Sequence, residues 1–98
     1  VIRVEAGVSL VSLLRLMLPR GWFPPVVPGT KYVTVGGMVA SDVHGKNHHR
    51  DGCFGAHVRA MRVRLADNTI VSCSPTELPD LFYGTIGGMG LLGHILEV

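Results

Sequence analysis

A chain of 98 residues holds at most one domain, enough for one modest core and too short for an enzyme with separate cofactor and substrate domains. Its net charge of +2 and pI near 8.8 are mildly basic; Arg59, Arg62 and Arg64 form the one basic cluster, with no aromatic interleaving or long basic run, which argues against a nucleic-acid surface. No apolar run approaches the roughly 20 residues of a membrane span and no signal-peptide pattern is present, so the segment is expected to be soluble.

Val1-Ile2-Arg3-Val4-Glu5 already alternates apolar and polar, and Ile95-Leu96-Glu97-Val98 does so at the other end, so both ends are expected to be cut through strands of something larger. A strand over 1–6 is broken by Gly7, and Ser9 offers an N-cap to a helix whose stripe is Leu10, Leu13, Leu14 and Met17. Pro19 and Gly21 end it. Pro24, Pro25 and Pro28 then forbid regular helix or central strand, and Pro28-Gly29 signals a turn. Val35 to Val43 reads as a short buried helix entered through Gly36-Gly37, where side-chain-free backbone allows close approach to a ligand. The loop "SDVHGKNHHRDGCFGAH" follows, and Gly45 and Asn47 argue that its histidine stretch is not helical.

His57 to Leu65 and Thr69 to Ser74 are β-rich runs joined at Ala66-Asp67-Asn68, a hairpin with Arg62 and Arg64 on the face opposite Met61, Val63 and Leu65. Pro75 and Thr76 open a short helix through Leu81, Phe82 and Tyr83, and a glycine-rich segment leads into a closing strand. Cys73 has core spacing, whereas Cys53 reads as a plain loop thiol. Neither belongs to a C-x-x-C pair, so no disulfide framework is expected. The layout is α+β, without regular βαβ alternation.

Three patterns carry candidate chemistry. Gly88-Met89-Gly90-Leu91-Leu92-Gly93 spells G-x-G-x-x-G, but the segment before it looks helical and the chain ends too soon for a Rossmann unit, so close backbone-to-backbone approach is the better reading. His44, His48 and His49 have an i, i+4 pair, yet a non-helical loop removes the reason for that spacing and no cysteine sits at ligand distance, so no metal is expected. Pro28-Gly29-Thr30 and Thr34-Val35-Gly36-Gly37 suit a diphosphate cradle of converging N–H groups, with the alternative that these glycines merely make turns.

"VEAGVSL…LLRLMLPRGWFPPVVPGTKYVTVGGMVASDVHGKNHH", "GCFGAHVRAMRVRLADN" and "LFYGTIGGMGLLGHI" resemble the FAD-binding domain of the vanillyl-alcohol oxidase superfamily, the FAD-linked oxidases, and within it the decaprenylphosphoryl-ribose 2-oxidase branch. The resemblance spans essentially the whole chain. It implies the second subdomain of a PCMH-type, non-Rossmann FAD-binding domain, with a mixed or antiparallel sheet and short flanking helices. It implies FAD contacts, largely through backbone, at Gly29, Thr34, Val35, Gly36, Gly37, Ser41, Asp42, Val43, His44 and Ile95. It implies that His44 and Lys46 line the substrate pocket, His44 orienting a hydroxyl or stabilising charge and Lys46 holding a hydroxyl or phosphate; His48, His49 and His57 are read as loop scaffold.

The implied activity is oxidation of a secondary alcohol of a sugar-like substrate, by resemblance the C2 hydroxyl of a polyprenyl-phosphoryl ribose, with a partner reductase downstream. An aldonolactone or alditol oxidase is the alternative within the superfamily, and a non-catalytic module binding a metal or partner through the histidine loop is the alternative outside it. The upstream diphosphate loop and the downstream substrate domain are not in this sequence, so the remaining part of the flavoenzyme is an expected partner and the isolated fragment is expected to be inactive. The relatives with this loop motif are expected to bind FAD non-covalently, the sequence itself leaving the attachment open, and a cytoplasmic location, or one peripheral to the membrane, completes the expectation. His94 stands where a small or aliphatic residue would be expected.

Overall fold

The computed structural model describes residues 1–98 in full. Helix α1 (Leu10–Met17) starts where Ser9 accepts from the Ser12 amide at 3.2 Å. Its stripe buries Leu10 and Leu13, as the spacing predicts. A 3₁₀ turn over Leu18–Arg20 tightens the end, and Gly21 takes φ +77° to turn the chain away. The proline segment is irregular but anchored, since Pro24 and Val26 are both buried.

Helix α2 is Val35–Ala40, shorter than the span to Val43 expected from sequence, because the chain turns at Ser41 and Asp42 takes a left-handed φ of +43°. Thr34 caps it by accepting from the Gly37 amide at 3.2 Å. Val35, Met38 and Val39 are its buried face. Val35 and Met38 join Leu10 and Leu13 in one core cluster, while Val39 joins Val63, Cys73, Phe82 and Ile95 in the other. This six-residue helix therefore wedges between the two halves of the core.

Helix α3 (His48–Asp51) is a single turn that the sequence reading missed. Strands β1 (Met61–Arg64) and β2 (Ile70–Cys73) form the expected hairpin, trimmed at its start because Phe54–His57 is a 3₁₀ turn. Asn68 at φ +73° completes the turn, and Asp67 accepts from both the hydroxyl and the amide of Thr69, which hold its carboxyl below the ordinary 3.8. Met61 and Val63 face the core and Arg62 and Arg64 face out. Cys73 is fully buried, and burial first, then the charge of Glu77, pushes its thiol up from 9.0.

Helix α4 is Pro79–Thr85, beginning later than the expected Pro75. The Ser74 hydroxyl accepts from the amides of Thr76 and Glu77 and makes a turn there, leaving Pro79 as the proline in the first helical turn. Strand β3 (His94–Glu97) pairs antiparallel with β1 beyond an irregularity at Arg62/Val63, giving the sheet order β2-β1-β3. The expected first strand is reduced to one bridge, Glu5 with Glu97. Even so, Val4 and Val98 exchange two 3.0 Å hydrogen bonds, and the Ala6 amide donates to Leu96. The result is an α+β fold in which the opening segment is clamped between β3 and the start of α2.

Candidate cofactor and substrate site

Two open clefts receive most of the residues singled out from sequence. One, of about 650 Å³, lies between the start of α2 and the closing segment, with Thr34, Gly36, Gly37, Gly93 and Ile95 among its lining. The other, of about 570 Å³, is lined by Val27, Pro28 and Gly29 on one wall and by His44, Gly45, Lys46 and His48 on the other.

At the first cleft the expected N–H cradle is corrected. Val35 donates to the Val8 carbonyl at 2.8 Å, Gly36 to Ala6 at 2.9 Å, and Gly37 to the Thr34 hydroxyl. The amides of Ser41, Asp42 and Val43 are likewise spent on Gly37, Val39 and Met38. A helix beginning against an extended segment satisfies its first amides with that segment's carbonyls, so they are not left for an anion. Gly36 is glycine for the same contact: a Cβ there would lie 2.8 Å from the Ala6 Cβ. What this wall offers is the exposed backbone of Gly37 and Thr34.

Several side chains turn away from the clefts. Val35 is in the core. Asp42 directs its carboxylate to the Gly55 amide at 2.8 Å, and Ile95 is 6% exposed, its side chain belonging to the sheet core. The G-x-G-x-x-G stretch follows a helix and precedes a strand, the reverse of a dinucleotide unit. The amides of Gly87 and Met89 instead cap α2 by donating to Val39 and Ala40.

The second cleft is different in kind. The amides of Gly29, His44 and Lys46 donate to no acceptor within the chain. His44 and Lys46 are exposed, and no carboxylate lines the walls. His44 sits opposite Cys53 in a single antiparallel bridge that aims the loop. Its ring meets that of His48 edge-on at 5.3 Å, and His48 meets His49 at 5.8 Å, so these neighbours do not point apart as an extended chain would require. The one turn of α3 brings them together. His48 donates from Nδ1 to the Gly45 carbonyl at 3.2 Å and His57 from Nε2 to the Asp51 carbonyl at 2.8 Å, which makes both struts of the loop. No three His, Cys, Asp or Glu side chains are placed to hold a metal ion.

Sequence reasoning used Asn47 only as a helix breaker and missed that it joins the loop to the proline segment. The i, i+4 spacing of Asn47 and Asp51 was the available signal.

The FAD binding domain family matches residues 1–74 of the chain. Among curated proteins, the chain is 50% identical over 95 residues to a decaprenylphosphoryl-β-D-ribose oxidase of Mycolicibacterium smegmatis, covering 96% of this chain and 21% of that protein. It is 34% identical over 96 residues to the Δ24-sterol reductase of Rattus norvegicus, covering 98% of this chain and 19% of the relative. It is also 34% identical over 92 residues to cytokinin dehydrogenase 8 of Oryza sativa subsp. indica, covering 94% of this chain and 17% of the relative. The chain thus spans about a fifth of the length of these relatives.

Proposed function

The chain belongs to the FAD binding domain family, with FAD as its cofactor, and from that premise we propose that it is the second part of the FAD-binding domain of an oxidoreductase that oxidises a secondary alcohol of a sugar-like substrate to a ketone. The supporting observation is the His44–Lys46 cleft, which combines an imidazole, an ammonium and unspent amides without any carboxylate. The residues fit a flavin dinucleotide. Bare backbone at Gly37 admits close approach, while the amides of Gly29, His44 and Lys46 supply donors for anionic or carbonyl oxygens. Thr34 borders the glycine wall, and Ser41 leaves an exposed hydroxyl at the turn after α2.

Bound FAD supplies the acceptor for the two electrons of the alcohol carbon. His44 accepts the hydrogen bond of the substrate hydroxyl and takes its proton as the carbonyl forms. Lys46 donates to a second hydroxyl or a phosphate oxygen and fixes which carbon faces the cofactor. By similarity to the Mycolicibacterium oxidase, the proposed substrate is a polyprenyl-phosphoryl ribose, and a separate reductase consuming the ketone is part of the same proposal.

The test is the visible spectrum of the full protein before and after acid precipitation, followed by flavin bleaching with candidate sugar alcohols. A two-band flavin spectrum released to the supernatant and bleached anaerobically by a polyprenyl-phosphoryl ribose is expected. A flavoprotein that no sugar alcohol bleaches would remove the alcohol-oxidase reading.

A further inference from the structure

We propose that Asn47 is a positioning residue that sets the width of the His44–Lys46 cleft by tying the proline segment to the histidine loop. Only its effect on turnover rests on the oxidase reading above.

The side-chain amide of Asn47 donates twice, to the Pro25 carbonyl at 3.0 Å and to Asp51 Oδ2 at 2.7 Å. Both partners are acceptors, so the nitrogen must lie on that side and the flip of the amide is fixed. The backbone carbonyl of Asn47 accepts from the amides of Arg50 and Asp51, both at 2.9 Å, so one residue starts α3 and braces it.

Of all hydrogen bonds in the chain, that from Asn47 to Pro25 is the one that joins residues 23–30 to residues 43–51. The proline segment cannot reciprocate readily, because Pro24, Pro25 and Pro28 have no N–H. The two walls also touch at Gly45, where a Cβ would lie 2.7 Å from Asn47 Oδ1 and 2.9 Å from the Val27 carbonyl. Asn47 therefore holds Gly45 against Val27, and with it His44 and Lys46 at a set distance from Pro28 and Gly29 across the cleft.

The variants are made in the full flavin-loaded protein. Asn47→Asp removes the donor to Pro25 and sets a second carboxylate against Asp51. Losing this bond is expected to let water reach the amide of Val26, which is protected by full burial and not by a hydrogen bond, and to speed its exchange about tenfold or more. The KM for the alcohol rises more than kcat falls. Asp51→Asn keeps the Pro25 bond and leaves both readouts near wild type. The double variant Asn47→Asp/Asp51→Asn restores a 47–51 hydrogen bond with the donor reversed but gives Pro25 none. Fast exchange and a raised KM persisting in the double variant support the latch; wild-type values there overturn it and leave Asn47 a role inside α3 alone. Should Asn47→Asp not fold, Asn47→Ser, too short to reach Pro25, is read in the same way, with unchanged exchange overturning the proposal. If the wild-type protein oxidises no alcohol, the oxidase reading fails while the exchange measurement still decides the latch.

Discussion

Across the start of α2 the amides of Val35, Gly36 and Gly37 are all donated inside the chain, whereas in the loop that follows those of His44 and Lys46 are donated to none. The first region is built from backbone contacts and missing side chains, with the opening segment pressed onto glycine. The second is exposed and held by polar side chains, Asp42 on Gly55, Asn47 on Pro25 and Asp51, and His57 on Asp51. Added volume should therefore damage the first, and loss of a polar atom the second.

The largest expected effect sharpens this division. His44→Ala in the full protein lowers turnover by about 10²–10⁴, the usual worth of a positioned acid or base. Flavin stays bound, because the contact proposed for this residue is made by its backbone amide, which the substitution keeps. Kinetics beside the flavin absorbance ratio checks both halves, and unchanged turnover would refute the role. Gly36→Val should cost about 1–3 kcal/mol in denaturant unfolding, since its Cβ must displace Ala6 from the wall. A neutral result there would break the comparison at its first term.

Asp42→Ala comes next, at about 1–3 kcal/mol, by leaving the Gly55 amide unpaired in a half-buried site. Asp42→Asn keeps the acceptor oxygen and tolerates the φ of +43°, so it should recover most of that loss. Equal costs for the two would mean that the carboxylate charge, not the acceptor, anchors the loop. Smallest is Arg62→Gln, which removes the 3.3 Å pair with Glu97 between partly exposed side chains and should change stability by at most about 1 kcal/mol, less in high salt.

Local order in the chain was enough to read α1, the hairpin, the closing strand and the failure of the G-x-G-x-x-G stretch as a dinucleotide unit. Each rests on periodicity, capping or turn residues that act over a few positions, such as Ser9 on Ser12 and Asp67 on Thr69. The family resemblance also lay in the sequence, because the PGT, TVGG and HGKNHH motifs are contiguous. Tertiary structure alone decided which of those motifs keep free donors. Whether the Gly36 amide can meet a ligand depends on Ala6, thirty positions upstream by the numbering, and whether the histidine loop is held depends on the Pro25 carbonyl. Hydrogen bonds between distant segments follow from packing, and no spacing within either segment encodes them.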